Sequence, residues 1–359
     1  MVHSMLRYSL FLLGVFLALP ILAVIAVSLG LPITISGIGY LFGGTLAAAG
    51  LILFPWAGRN SVRLAVLGFL VIALVASVRL ILARQGLSPN ITMITLPQET
   101  YTRWINTLID EQDSLIVGEA LFHLIGGDSP SEHENIASAL HADYSEMRRT
   151  QRIFASPFVN TYLNLQRANH FDAVIVEPKI NQPPEFALIF LHGYMGNVTA
   201  QCWEIAQAVK NFGAMTICPS TSWRGDWWQP QGQAILQATF EYLRGRGIQK
   251  FYLGGFSNGG ISIGHLASQL KSEKELTGLI LIDGFDNGVG IRALGLPVLI
   301  LEGLQDQRIP PVLAHQAVEE IGNLGTYVEM TGDHFVIMKQ PDLVQNAIAN
   351  WLESQESDR

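Results

Sequence analysis

The residues Gly255–Gly259 form a Gly-x-Ser-x-Gly sequence with Ser257 at its centre. An apolar, strand-like run ends just before this sequence, and an apolar run compatible with a helix follows it. A sharp turn between a strand and a helix presents the central hydroxyl at the open end of a sheet, and the glycines are needed because side chains there would collide with neighbouring elements. Ser257 is therefore the candidate nucleophile.

A serine hydroxyl attacks a carbonyl only when a base removes its proton, and the base needs a carboxylate that orients it. His334 and Asp306 each follow the end of a predicted strand, and they lie after the serine in the order aspartate, histidine. A nucleophile on a strand–turn–helix element requires this order. Asp283 and Asp286, which follow the preceding predicted strand, remain alternative candidates for the acid.

The segment Leu191–Gly196 follows another apolar run and contains a glycine-flanked turn. We expect the backbone N–H groups of Tyr194 and Asn258 to form an oxyanion hole, in which two donors stabilise the negative oxygen of a tetrahedral intermediate. His192, at the start of the same segment, is expected to have a structural role.

A tryptophan-rich loop provides the candidate substrate-binding residues Trp223, Arg224, Trp227 and Trp228. The tryptophans can form an apolar acyl or aromatic pocket, and Arg224 can receive an anionic group. An alternative is equally open, in which the tryptophans pack the loop against the domain and Arg224 pairs with Asp226.

Strand-like and helical runs alternate through the second half of the chain, which predicts a mostly parallel sheet covered by helices on both faces. Ligands of such sheets bind at the carboxyl ends of the strands. The predicted strands are 172–176, 187–191, 214–218, 250–254, 279–282, 298–301 and 327–330, and the predicted helices are 200–212, 231–246, 261–270, 312–321 and 343–354.

At this point the chain resembles the α/β-hydrolase superfamily, through His192-Gly193, Gly255–Gly259, Asp306 and His334. The resemblance covers residues 158–353, roughly half of the chain. It implies the α/β-hydrolase fold, a serine nucleophile, an acyl-enzyme that water hydrolyses, and neither a metal nor an organic cofactor. Only about fifteen residues separate the strand before Asp283 from the strand before Asp306, so the large cap of many superfamily members is not expected.

The first 85 residues contain no aspartate or glutamate, and the 51 residues from Tyr8 to Gly58 contain no charge. A membrane span needs about 20 apolar residues. We therefore predict three transmembrane helices, at about 9–29, 33–55 and 62–83. A cleaved signal peptide is the alternative for the first segment, but its apolar core is long and two further spans follow. Small residues in Gly43–Gly50 suit close packing of helices.

The basic residues that flank the spans predict the orientation of the chain. Arg7, Arg59 and Arg63 lie on one side of the membrane, whereas the first loop carries no charge. The positive-inside rule then places the N-terminus in the cytoplasm and the large domain outside it, at a cell membrane. Arg79 and Arg84, at the end of the third span, weaken this prediction.

The residues that follow the spans carry 17 basic and 30 acidic residues, and this acidity excludes nucleic acid as an expected partner. We expect a helical connector at 86–156, with helices at 103–118 and 137–153, and an α/β-hydrolase domain at 157–359. Cys202 and Cys218 would lie at one edge of the sheet, where they either pair or remain buried thiols. The histidines of the connector, His123, His133 and His141, match no zinc-binding spacing.

These observations predict an integral membrane serine hydrolase that cleaves small-molecule or lipid esters, as carboxylic esters or thioesters. One alternative is a serine peptidase of the same fold, for which only Arg224 and Glu302 offer a clamp for a peptide terminus. A second alternative is a non-catalytic membrane sensor or scaffold that retains the fold.

Overall fold

The computed structural model describes residues 2–84, 90–98, 100–127, 129–151, 153–178 and 184–357. The chain divides into two compact units. The helical unit comprises Met1–Gln85 and Thr107–His133, and the sheet unit comprises Gly86–Asn106 and Glu134–Arg359. The predicted connector is therefore shared between the two units, and its predicted start at residue 86 lies outside the described residues.

Three helices of the helical unit are long and apolar enough to cross a membrane, at Met5–Ser28, Ile35–Ala57 and Arg59–Ala83. They agree with the three predicted spans to within a few residues. The helices of this unit are α1 (Val2–Ser28), α2 (Ile35–Ala57), α3 (Arg59–Arg84), α4 (Glu111–Leu124) and α5 (Pro130–His133).

Small residues allow α2 and α3 to approach each other closely. A Cβ atom added to Gly68 of α3 would lie 2.3 Å from the backbone nitrogen of Ala47. A Cβ atom added to Gly50 of α2 would lie 2.4 Å from the backbone nitrogen of Ala65. The two backbones therefore touch at these positions, as the glycine- and alanine-rich sequence predicts.

Arg79 of α3 is buried and pairs with Asp110, which caps the amino end of α4. Its guanidinium nitrogens also donate to the backbone oxygens of Thr107 and Ile109. A buried arginine requires such partners, because an unpaired charge is costly to remove from water. Arg79 thus fastens the start of α4 to the end of α3 within the helical unit.

The sheet unit is built on a nine-stranded sheet in the order β2-β1-β3-β5-β4-β6-β7-β8-β9. Strands from β5 through β9 in this order run parallel, whereas β2, β1 and β3 add antiparallel strands at one edge. The strands are β1 (Ile91–Leu96), β2 (Thr100–Tyr101), β3 (Phe171–Val176), β4 (Ala187–Leu191), β5 (Met215–Pro219), β6 (Phe251–Phe256), β7 (Leu276–Ile282), β8 (Val298–Gly303) and β9 (Gly325–Met330).

Both faces of the central strands are covered. Every residue of β4, β5, β6 and β8 is buried, which requires packing on the two sides of the sheet because successive side chains point to opposite faces. The helices of this unit are α6 (Ile136–Gln151), α7 (Phe158–Tyr162), α8 (Thr199–Val209), α9 (Pro230–Gly245), α10 (Asn258–Leu270), α11 (Gly288–Arg292), α12 (Pro311–Ile321), α13 (Val336–Lys339) and α14 (Pro341–Ser357). This arrangement is the predicted α/β-hydrolase fold.

The connector departs from the prediction in two respects. Strands β1 and β2 were not predicted, and β1 pairs with β3 along six residues, so part of the connector extends the sheet. The helix predicted at 103–118 is replaced by a short 3-10 turn at Trp104–Thr107, and α4 begins only at Glu111 because Asp110 caps it. The pairing of β1 depends on the distant strand β3, which local spacing does not signal.

Cys202 of α8 and Cys218 of β5 form a disulfide bond. Of the two alternatives left open by the sequence, the structure therefore contains the pair. The bond closes a loop between a helix and the strand that follows it.

Candidate active site

Ser257 occupies the turn between β6 and α10 with a φ angle of 52°, in the left-handed region that a residue with a side chain rarely adopts. The residues two positions before and two positions after it must be glycines. A Cβ atom on Gly255 would lie 2.4 Å from the carbonyl carbon of Gly259, and one on Gly259 would lie 2.1 Å from the oxygen of Leu191. The strained turn predicted from the sequence is therefore present, and it places Ser257 at the carboxyl end of the sheet.

A continuous hydrogen-bonded path joins Ser257 to His334 and Asp306. The Ser257 Oγ lies 2.9 Å from His334 Nε2, and His334 Nδ1 lies 2.7 Å from Asp306 Oδ2. An ionised carboxylate can only accept, so Nδ1 carries the proton and Nε2 is free to accept one from the serine. This is the geometry that a nucleophile, a base and an orienting acid require.

The loops after β8 and β9 contain the candidate acid, Asp306, and the candidate base, His334. Asp306 is held by the backbone N–H groups of Arg308 and Ile309, which both donate to its second oxygen, Oδ1. Asp286, one alternative acid, instead pairs with His265. Asp283, the other alternative, accepts a hydrogen bond from the backbone N–H of Gly303.

The loop after β4 lies against the nucleophile. A Cβ atom on Gly193 would lie 2.9 Å from the Cβ of Ser257 and 3.3 Å from the backbone nitrogen of Asn258. The two predicted oxyanion donors are the backbone N–H of Tyr194, in this loop, and that of Asn258, the first residue of α10. Neither N–H donates a hydrogen bond to another group in the described part of the chain.

His192 is buried and holds the same loop in place. Its Nδ1 donates to the oxygen of Gly193, and its Nε2 accepts from the backbone N–H of Thr221. Burial lowers the pKa of His192 to about 4, so this ring stays neutral over the ordinary pH range. These contacts agree with the structural role expected for His192.

The candidate substrate-binding residues lie in different surroundings. Trp227 is fully buried, and its Nε1 donates to the backbone oxygen of His192, so it supports the loop and offers no surface to a ligand. Trp223 is half-buried, and its ring lies 4.8 Å from that of Tyr194. Trp228 is half-buried and lies beside His265.

Arg224 is exposed, and its guanidinium carbon lies 5.5 Å from the centre of the Trp223 ring. Within the described residues it forms no ion pair with Asp226, whose carboxylate accepts instead from the side-chain amide of Asn258. The guanidinium is therefore available to an anionic group, as one of the two interpretations of this loop requires.

Two further buried carboxyl groups, those of Asp283 and Glu302, lie beside the candidate acid Asp306. The sequence indicated Asp283 only as an alternative acid and did not indicate that Glu302 lies beside both. Oxygens of Asp283, Glu302 and Asp306 lie within 4.8 Å of one another, a spacing that either shared protons or a single cation would satisfy. Both oxygens of Asp306 already accept hydrogen bonds, whereas both oxygens of Glu302 have no partner in the described structure.

Desolvation, together with the charge of Asp306, raises the pKa of Glu302 to about 9. Desolvation and the charge of Glu302 raise the pKa of Asp283 well above its usual value. We therefore interpret both groups as neutral acids near pH 7.

The mouth of the site is not covered by a cap inserted after β7. Fifteen residues separate β7 from β8, and they form only the five-residue helix α11. The sequence prediction of a missing cap is confirmed for this position.

No protein-family model and no curated protein matches this chain in sequence. Among solved structures, Est1E from Butyrivibrio proteoclasticus is similar at 17% identity and a TM-score of 0.45, over 52% of this chain and 95% of that one. A serine hydrolase homologue from Coxiella burnetii is similar at 20% identity and a TM-score of 0.43, over 51% and 92% of the two chains. A thermophilic esterase from Thermogutta terrifontis is similar at 16% identity and a TM-score of 0.42, over 52% and 95%. At this level of similarity, the interpretation of the site depends on the geometry of this chain.

Proposed function

We propose that this chain is a membrane-anchored serine hydrolase that cleaves carboxylic esters or thioesters through an acyl-enzyme. The observation that carries the proposal is the unbroken path from Ser257 through His334 to Asp306, with distances of 2.9 and 2.7 Å. A protein that used the fold only as a scaffold would not need a strained serine, a base and an oriented acid in contact.

In this mechanism, His334 Nε2 takes the proton of Ser257 as the serine oxygen attacks the acyl carbon. The carbonyl oxygen becomes negative, and the N–H groups of Tyr194 and Asn258 stabilise it. His334 then gives the proton to the leaving oxygen or sulfur, and an acyl-serine remains. Water, activated by the same histidine, hydrolyses the acyl-serine and restores Ser257. Asp306 keeps the ring oriented and stabilises its positive charge in both steps.

Trp223, Arg224 and Trp228 remain the proposed substrate-binding residues. We assign Trp227 a structural role in the loop, because it is buried.

A peptidase is less well supported. Glu302, one of the two side chains that could bind a peptide terminus, is fully buried, which leaves only Arg224.

The proposal is tested by labelling the full-length protein with an alkyl fluorophosphonate, which reacts with activated serines. We expect labelling of the wild type and of two controls, Ser272→Ala and His315→Ala, which change an exposed serine and an exposed histidine. We expect no labelling of Ser257→Ala or His334→Ala. A folded wild type that does not react would favour the scaffold alternative. Turnover of peptides but not of esters or thioesters would favour the peptidase.

We also propose that the sheet unit lies outside the cytoplasm. The Cys202–Cys218 disulfide supports this side, because such bonds persist in oxidising compartments and are rare in the cytosol. The positive-inside distribution of Arg7, Arg59 and Arg63 supports the same orientation.

A further inference from the structure

Four aromatic rings form a continuous row that starts at the loop beside Ser257. We call them the aromatic row, and they are Tyr194, Trp223, Tyr162 and Phe158. Ring centres of Tyr194 and Trp223 lie 4.8 Å apart, those of Trp223 and Tyr162 lie 6.3 Å apart, and those of Tyr162 and Phe158 lie 4.3 Å apart. These separations lie in or just below the range of favourable aromatic pairs. Three separate segments of the sheet unit contribute to the row.

The row begins next to the reacting atoms. Gly193 lies against Ser257, and Tyr194 follows it directly in the chain. The far end of the row is fastened to the same loop, because a Cβ atom on Gly196 would lie 2.8 Å from the side chain of Thr161, the neighbour of Tyr162. An ester whose carbonyl reaches Ser257 therefore has one of its substituents near these rings.

The rings of the aromatic row pack against one another, but two of them also keep surface that is exposed to solvent. The residues Tyr194 and Tyr162 are 51% and 38% exposed, although both are large aromatic residues. Among the described residues, neither phenol hydroxyl has a hydrogen-bond partner. Burial and the neighbouring Tyr194 raise the pKa of Tyr162 to about 12, so its hydroxyl remains a donor at neutral pH. Aromatic side chains that served only to pack a loop would bury these surfaces.

We propose that the aromatic row is the subsite for an aryl group of the ester substrate. This inference rests on the proposed hydrolase function and names the substrate class of the same site. Flat rings present faces and edges to a planar guest and gain about 0.5–1.5 kcal/mol per aromatic pair beyond the area that they bury. A saturated ring of the same size buries similar area without this gain. The free hydroxyls add hydrogen bonds to polar substituents on the aryl group.

Matched pairs of ester substrates test whether the site prefers an aryl group to a saturated ring of the same size. Methyl phenylacetate is compared with methyl cyclohexylacetate for the acyl side, and benzyl acetate with cyclohexylmethyl acetate for the alcohol side. We expect the wild type to prefer the aryl member of at least one pair by roughly two- to tenfold in kcat/KM. No preference in either pair would overturn the subsite.

The variant Tyr162→Leu is expected to abolish the aryl preference while alkyl fluorophosphonate labelling continues. Trp223→Leu and Tyr194→Leu are expected to abolish the aryl preference as well, and Tyr194→Leu keeps the backbone N–H of the proposed oxyanion hole. The control is Phe212→Leu, which changes a half-buried aromatic residue just before β5, at the amino ends of the parallel strands. It should retain both labelling and preference.

An aryl preference that persists in Trp223→Leu and Tyr162→Leu would overturn the proposal, and so would its loss in Phe212→Leu. A folded wild type without labelling would overturn the hydrolase function and the subsite with it. Labelling without an aryl preference would overturn the subsite alone.

Discussion

At the scale of single residues, the chemistry depends on which carboxyl group contacts His334. Three acids, Asp283, Glu302 and Asp306, are buried close together, but only Asp306 accepts from the imidazole. Two backbone N–H groups donate to this carboxylate, whereas Glu302 has no donor among the described residues. The difference in hydrogen-bond donors, rather than in burial, distinguishes Asp306 as the proposed acid.

Replacing Asp306 by Asn should lower kcat on the order of 10⁴-fold, because an amide can favour the histidine tautomer that cannot accept the serine proton. Asp283→Asn is the matched control, since the new amide oxygen can still accept from Gly303. It should keep most of the activity in the hydrolysis of benzyl acetate. A larger loss in the control than in Asp306→Asn would show that the acid has been misassigned.

The raised pKa of buried Glu302 predicts that the free energy of unfolding depends on pH. Its pKa is about 9 in the folded protein and 4.5 in a free side chain, so the folded state binds one proton more between these values. Folding is then favoured at low pH, and this contribution is lost as the pH rises from about 4.5 to about 9, at a rate approaching roughly 1.4 kcal/mol per pH unit.

The variant Glu302→Gln is permanently neutral and lacks this proton linkage. Its melting temperature relative to the wild type should rise steadily between pH 5 and pH 9, measured by thermal unfolding of the detergent-solubilised chain. Glu329→Gln is the control, because Glu329 lies opposite Glu302 in the register with β9 but is exposed. Parallel pH profiles for the wild type and Glu302→Gln would contradict a neutral Glu302.

At the scale of elements, loops at the carboxyl ends of β4, β6, β8 and β9 bring the site together. In the proposed mechanism, these strands are followed in turn by the oxyanion loop, the nucleophile, the acid and the base. Parallel strands make this possible because their carboxyl ends meet at one edge of the sheet. In the helical unit, by contrast, the determining feature is close backbone contact between α2 and α3.

Backbone contact at one glycine of the helical unit and open space at another predict opposite effects of replacing each by alanine. Gly68→Ala should destabilise the helical unit by about 1–3 kcal/mol, because its Cβ would lie 2.3 Å from the backbone of Ala47. Gly118→Ala in α4 meets no atom within 4 Å and should stabilise by about 0.5–1 kcal/mol, since alanine favours helices. Thermal unfolding followed by circular dichroism measures both. A stabilising Gly68→Ala would mean that the helices are further apart.

At the scale of the whole molecule, apolar and acidic residues are separated along the chain. The three candidate spans carry no acidic residue, whereas the acidic remainder includes every strand of the sheet described above. Anchoring concentrates an enzyme at a membrane, but substrate choice still depends on the site itself.

All lysines of the chain lie at residue 179 or beyond. If the sheet unit is outside the cytoplasm, a membrane-impermeant amine reagent added to intact cells should label these lysines, as mass spectrometry of peptides from the protein would detect. The cysteines should react with a maleimide only after reduction, because they are paired. A cytoplasmic protein serves as the control for leakage. Labelling of the lysines only after lysis would place the sheet unit in the cytoplasm.

The sequence by itself determined the spans, the parallel core and the order of the candidate catalytic residues. Apolar runs, glycines around Ser257 and the positions of Asp306 and His334 after strands are local signals, and local sterics and periodicity give them their meaning. Only the tertiary structure decided that β1 joins the sheet, that Cys202 meets Cys218, and that Trp227 is buried while Trp223 is half-buried. It also brought Glu302 to Asp306, and Tyr162 to the loop that contains Tyr194. Such contacts depend on pairing and packing between distant segments, for which neither spacing nor composition provides a signal.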